Sequence, residues 1–300
     1  MLPSFHNTCA IIVTYFPDAQ FPERLDKVLS QFPLAIIVDN ASSDQAAEML
    51  RNVAAMSNVL LLTNNSNLGI GSALNQGMEL ALQQGFEWVL TLDQDTLAYP
   101  DMRETLSNGY INNSSGDIII GGNYWNANRH RNFITCSDEE NKYIERKTLI
   151  TSGTLLSVDL VKRIGGFRED YFIDSVDHEF CLRARANGCK ILMCCKPVMR
   201  HSIGIAKVRN YRLSNLSSFN HSPVRKYFIA RNAVATAKHY FFQEPMWAVR
   251  QVFRLAFDFI SIVVFERNKG KKTHAFFVGL MHGMVGKMGA IDVAWPNGAR

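Results

Sequence analysis

The chain has 300 residues, 47% of them apolar and 20% charged. That is ample material for one large domain or two modest ones, and it excludes a disordered, collagen-like or disulfide-stapled mini-protein. The net charge of +5 is unevenly spread: residues 200–300 carry 16 basic and 4 acidic side chains, against 16 and 23 in residues 1–199. A basic tail on an acidic body points to an anionic partner, whether nucleic acid, phosphate or a membrane surface. The tail lacks interleaved aromatic and basic strands, which sets nucleic acid aside.

Cys9 to Tyr15 is a short β-branched run and predicts a buried strand. Leu25 to Gln31 has a helical pattern, and Leu34 to Val38 is a second strand ending in Asp39-Asn40-Ala41-Ser42-Ser43-Asp44. Ser43 or Asp44 can cap a helix over Ala46 to Ala55. Val59 to Thr63 is a third strand, and Ser72 to Gln84 a helix closed by Gly85. Trp88 to Leu92 is a fourth strand ending in Asp93-Gln94-Asp95. This alternation predicts an α/β fold with a mostly parallel sheet and right-handed crossovers.

The second half is less regular. Strands are predicted at Asp117 to Gly122, Ile150 to Val158 and Lys190 to Cys194. Helices are predicted at Val161 to Ile164, stopped by Gly165-Gly166, and at Val176 to Asn187. From Ser222 onward the pattern is mostly helical, with Lys269-Gly270-Lys271-Lys272 as its clearest loop. The apolar stretch Val252 to Phe265 is broken by Arg254 and Asp258, so it reads as a buried or interfacial helix and not a membrane span. The N-terminus shows no basic segment followed by an apolar one, so no signal peptide is expected. The six cysteines form no C-x-x-C and have no histidine at zinc spacing, which predicts buried thiols in a reducing compartment.

In an open parallel sheet, ligands bind beyond the carboxyl ends of the strands. Thr14-Tyr15, Asp39-Asn40, Asn67 to Gly71 and Asp93-Gln94-Asp95 all fall there. Any one of them reads as turn chemistry, but four at strand ends read as a site. Two carboxylates in D-x-D spacing can meet a divalent cation and a diphosphate together. Asn67-x-Gly69-x-Gly71 follows the third strand and lacks the third glycine of a dinucleotide fingerprint, which disfavours a dehydrogenase. Asp174, Asp177 and Glu179 open a helix that also carries Arg183. They suit either the helix dipole and a salt-bridge network or a general base at a cleft edge. His201 follows a strand and suits a metal that already has a carboxylate ligand.

The ordered motifs IIVTY, VDNASSD, NNSNLGIGSALNQG, LDQD, TSGTLLS, GGFREDYFIDSVDHEFCLR and RHSIG resemble the family-two inverting glycosyltransferases of the GT-A fold, and within them the bacterial rhamnosyltransferases. The resemblance covers residues 8–240 and leaves 241–300 as a helical C-terminal extension. It implies that Thr14, Tyr15, Asp39, Asn67 and Gly69 hold the nucleoside and that Asp93 approaches the ribose or diphosphate. Asp95 and His201 would bind Mg2+ or Mn2+, and Asp177 would be the base. Glu179, Arg183 and Gly153 would face acceptor or diphosphate. Val176 stands where the wider family has a glutamate, as in the rhamnosyltransferase branch. The implied donor is dTDP-rhamnose and the implied acceptor a lipid-linked glycan of a surface polysaccharide or O-antigen. The alternatives are a UDP-hexose or UDP-galactofuranose donor, or a non-catalytic nucleotide-sugar binding subunit. The implied location is cytoplasmic, peripheral on the inner face of the plasma membrane. Arg200, Lys207, Arg209, Arg212, Arg225, Lys226 and Arg231 are candidates to hold the diphosphate or a lipid diphosphate. Phe253, Phe257, Ile260, Val264 and Phe265, followed by Lys269, Lys271 and Lys272, suit either interfacial docking on anionic lipid or packing on the catalytic domain.

Overall fold

The computed structural model of the chain describes residues 1–113, 116–127, 130–137, 142–201, 220–289 and 291. The first half alternates as the sequence predicts: β1 Thr8–Thr14, α1 Phe21–Leu29, β2 Ala35–Asp39, α2 Asp44–Val53, β3 Val59–Thr63, α3 Ile70–Gln83 and β4 Trp88–Asp93. These four strands are parallel in the order β3-β2-β1-β4. Then follow β5 Leu97–Ala98, α4 Met102–Asn113, β6 Ile118–Asn126, β7 Arg131–Asn132, β8 Tyr143–Glu145, β9 Thr154–Ser157, α5 Val158–Ile164, a 3-10 turn at Glu169–Tyr171, α6 Val176–Ala186 and β10 Lys190–His201. The sheet continues from β4 through β9, β6 and β10 to β5. In it β9 runs antiparallel to both neighbours, while β6 and β10 are parallel to each other.

Strand alternation divides the core. Ala10, Ile12, Ile37 and Leu90 face α1, α2 and α4, where Phe21, Leu25, Leu50 and Leu106 pack. Cys9, Ile11, Ile36 and Val89 face α3, α5 and α6, where Leu74, Met78, Val161 and Phe180 pack. Both faces being covered is why these strands read as continuous apolar runs.

Strand β10 is longer than its Lys190 to Cys194 core predicts. It passes an irregularity on either side of Pro197 and resumes pairing with β6 and with β5. Proline is tolerated at such a bulge because no ladder donor is needed there. Cys195, in that irregular stretch, is bonded to Cys136, with Cα atoms 5.9 Å apart. This corrects the expectation of six free thiols. The two residues are 59 apart in sequence, and only the sheet folding brings them together. The other four cysteines are free and buried. Burial pushes the Cys9, Cys181 and Cys189 thiols up to about 12.

The C-terminal helices are α7 Pro223–His239, α8 Pro245–Phe265 and α9 Lys269–Val285. They share an apolar cluster of Ile229, Ala233, Leu255, Ile262 and Phe276, so α7 packs with the two helices beyond residue 240. The predicted loop Lys269 to Lys272 is instead the first turn of α9. The reason is a buried charge network. Glu266 accepts from Lys272 at 2.7 Å and from Lys226 at 2.9 Å, and Lys226 also meets Asp258 at 2.5 Å. Two lysines that composition assigns to a basic surface are therefore internal and paired. Among the described residues no helix is long and apolar enough to cross a membrane.

Candidate active site

The carboxyl ends of β1 and β2 lie side by side, with Thr14 in register with Asp39. The Thr14 hydroxyl donates to Asp39 Oδ1 at 2.8 Å, and both residues are buried. Ser42 adds its hydroxyl to Oδ1 (2.6 Å) and its backbone N–H to Oδ2 (2.8 Å). The Asp39 carboxylate is thus fixed, with acceptor capacity left on Oδ2. Tyr15 follows at the rim, half exposed, its ring edge-on to Phe16.

Gln94 explains the middle position of Asp93-Gln94-Asp95. Its amide clasps the Tyr15 backbone, accepting from N at 2.7 Å and donating to O at 3.1 Å. The Gln94 carbonyl in turn accepts from the buried Arg24 at 2.8 Å. The middle residue is tied to β1, and the two flanking aspartates both approach His201.

His201 comes to them through long-range pairing. β5 begins two residues after Asp95 and runs antiparallel to the end of β10, pairing Leu97 with Arg200. This sets buried His201 above the acidic pair. Nδ1 lies 3.4 Å from Asp95 Oδ1 and Nε2 lies 3.7 Å from Asp93 Oδ2. Thr96 Oγ1 is 3.0 Å from Nδ1 and 2.6 Å from Ser152 Oγ, which accepts the Asp93 N–H at 3.1 Å. One donor atom from each of Asp93, Asp95 and His201 lies within 4.8 Å of the others.

The electrostatics fit a cation. Loss of water, opposed by the charge of His201 and reinforced by the charges of Asp95 and Asp177, with Arg225 a smaller opposing charge, leaves the Asp93 carboxyl pushed up to about 6. Burial pulls the His201 imidazole down, but the hydrogen bond to Asp95 and both aspartate charges carry it above its ordinary value. Two hard carboxylates and one imidazole suit a divalent cation, which would relieve the repulsion between the carboxylates. The three residues can hold one.

Asp177 lies in the first turn of α6, half-buried, accepting from the His178 N–H at 2.8 Å. Its charge raises the Asp93 carboxyl. Arg225, beside α7's N-terminal Ser222, meets Asp174 at 3.1 Å and also acts on Asp93.

Asn67 makes a local turn, accepting the Gly69 N–H at 2.9 Å. Gly69 has φ +86°, and a Cβ there would lie 2.5 Å from the Phe172 carbonyl. Its need for glycine thus comes from the close approach of the 172 segment. Asn40 and Asn64 brace this loop: Asn40 donates to the Gly69 carbonyl at 3.2 Å and accepts from Asn64 at 3.0 Å.

Glu179, Arg183 and Gly153, which the resemblance assigns to acceptor or diphosphate, each have close protein partners. Glu179 is buried and accepts from Arg183 and from the Tyr240 hydroxyl. Arg183 spreads its remaining donors over the carbonyls of Ile164, Gly165 and Gly166. The pair ties α6 to the end of α5 and to Tyr240. Gly153 has φ +78°, and a Cβ would lie 2.6 Å from the Met199 Cε, so the neighbour it accommodates is Met199. Lys226 and Arg231 are internal, whereas Lys207, Arg209 and Arg212 lie outside the described residues. Missed by the sequence reading were the roles of Ser152 and Gln94, inside quoted motifs, of Thr96, which directly follows one, and of Asn232, which no local pattern marks.

Comparison with known proteins agrees with this architecture. The family model described as Glycosyl transferase family 2 matches residues 9–173. The chain is 28% identical over 240 residues to a dTDP-rhamnosyl transferase, RfbF, of Shigella flexneri, covering 76% of this chain and 78% of that protein. Among solved structures it resembles S. aureus TarS residues 1–349 in complex with UDP-GlcNAc, with a TM-score of 0.52, 16% identity and coverage of 93% and 92%. The same TarS segment in complex with UDP gives a TM-score of 0.51 at 16% identity, again over 93% and 92%. With a GT-A sheet, an acidic pair beyond β4 and a family match over more than half its length, the chain belongs to glycosyl transferase family 2.

Proposed function

We propose that this glycosyltransferase moves L-rhamnose from dTDP-rhamnose to a hydroxyl of a lipid-linked glycan, with inversion, in the synthesis of a surface polysaccharide such as O-antigen. The observation that carries the reading is the meeting of Asp93, Asp95 and His201 at one edge of the sheet, with the charge of Asp177 acting on Asp93. The similarity to a dTDP-rhamnosyl transferase over most of both chains supports the choice of donor.

Thr14, Tyr15, Asp39, Asn67 and Gly69 border the nucleoside, where the free capacity of Asp39 Oδ2 accepts an N–H from the base. Asp93 lies toward the ribose and diphosphate. Mg2+ or Mn2+, held by Asp95 and His201 beside Asp93, would supply positive charge to the departing diphosphate. Arg225 adds a cation on the same side. Asp177 takes the proton from the acceptor hydroxyl, whose oxygen attacks the anomeric carbon from the face opposite the nucleotide. The acceptor is met on the cytoplasmic side, at the inner face of the plasma membrane.

Calorimetric titration with dTDP and with UDP, each with and without Mn2+, tests the reading, followed by turnover with dTDP-rhamnose. Metal-dependent preference for dTDP is the expected result. Preference for UDP would replace the donor by a UDP-hexose or UDP-galactofuranose. Binding without transfer from any donor would make the chain a nucleotide-sugar binding subunit.

A further inference from the structure

We infer that α8 and α9 together form a docking face for an anionic lipid surface. Along α8, Val249, Val252, Phe253, Phe257, Ile260 and Val264 are 40–71% exposed, although the opposite face of the same helix is packed. Their spacing puts them on one side of the helix, about 30 Å long for 21 residues. Phe277 of α9 lies beside Phe259, ring centroids 5.2 Å apart, and Met281, Met284 and Val285 extend the exposed apolar surface along the second helix. A surface of this extent calls for an occupant.

Charge identifies it. Within 245–289 the acids are Asp258 and Glu266, and both are paired with lysines of the internal network. The exposed Arg and Lys residues of this stretch, Arg250, Arg254, Arg267, Lys269, Lys271 and Lys287, have no exposed acid among them. A second copy of the chain would bring like charges together. An anionic bilayer accepts the apolar stripe between its headgroups and the basic rim against its phosphates. Arg250, Arg254 and Asp258 within α8 suit it to lying in the interface and not to crossing.

The face also has a place relative to the chemistry. Trp247 of α8 meets His178 edge-on at 6.0 Å, and the charge of Arg254 is felt by His178, the neighbour of Asp177. Docking would bring the base helix α6 close to the bilayer, where a lipid-linked acceptor is presented. This deepens the proposed function and rests on it only for the nature of the acceptor.

The test is flotation of the full chain with phosphatidylglycerol-containing vesicles and with pure phosphatidylcholine vesicles. Two surface variants are compared, Phe253→Ser/Phe257→Ser and Arg250→Glu/Lys269→Glu/Lys271→Glu. Wild type is expected to float with the anionic vesicles alone. Each variant should lose on the order of a hundredfold in vesicle affinity while binding dTDP as wild type does. Failure of wild type to bind anionic vesicles overturns the inference, as does binding that both variants retain. So does a wild-type dimer in sedimentation that the phenylalanine variant converts to monomer. Because nucleotide binding is read separately, loss of the donor assignment and loss of the docking face are distinguishable.

Discussion

The side-chain amide of Asn232 donates to the Asp174 carbonyl at 2.9 Å, three residues before Asp177. The same amide reaches the carbonyls of Tyr171 (2.9 Å) and Ile173 (2.8 Å). The neighbouring Arg231 donates to the carbonyls of Asp170 and Tyr171. The segment they hold contains Phe172, Asp174 and Ser175, all with φ of 63–64°. Side chains with a Cβ rarely adopt that conformation, and the surrounding structure must enforce it. Helix α7 therefore sets the entry angle of α6 and the position of the proposed base.

Asn232→Ala removes this bracing. It leaves buried carbonyls short of a donor, so a loss of about 1–3 kcal/mol in stability is expected by denaturant titration. kcat should fall as well, and dTDP affinity should fall less, because the braced segment opens α6 directly and reaches the nucleoside loop only through Phe172 against Gly69. An unchanged kcat in the folded variant would make Asn232 purely structural.

Asp177→Asn tests the base directly. The amide can still accept the His178 N–H, so the fold and nucleotide affinity should be retained. Transfer should drop by about 10²–10⁴-fold, the usual worth of a positioned base. Near-normal turnover would show that another group takes the acceptor proton.

Divalent-ion binding should weaken as pH falls. The ion needs Asp93 and His201 without their protons, and Asp93 holds its proton up to about 6, with His201 also raised. Below each pKa, every displaced proton lowers apparent affinity about tenfold per pH unit. Mn2+ titrations across this range should show the loss, and Asp95→Asn or His201→Ala should weaken binding at every pH. A flat pH profile in wild type would place the ion elsewhere.

Arg183→Lys separates packing from chemistry. Lysine cannot reproduce a fork that serves Glu179 and three carbonyls, so buried Glu179 loses most of its partner. A loss of about 1–3 kcal/mol is expected, from the carbonyls left without a donor. The thermal midpoint should fall while kcat of the folded fraction stays close to wild type. Intact stability with collapsed turnover would return Arg183 to the substrate.

The sequence by itself determined the alternating strands and helices from Thr8 to Asp93 and the polar ends of β1, β2 and β4. Apolar runs bounded by Asp, Asn and Gly specify a buried parallel strand and its loop locally, and parallel strands deliver those loops to one edge. Tertiary structure decided which of those groups meet. His201 stands over Asp93 and Asp95 because β5 pairs with β10, a contact between residues about a hundred positions apart. Cys136 joins Cys195 for the same kind of reason. Glu179 and Arg183 hold a helix in place, and Lys226 and Lys272 neutralise buried Glu266, although by composition each could have faced ligand or solvent. A charged side chain's function depends on the partner it finds, and when that partner is supplied by a distant strand or helix, local spacing carries no record of it.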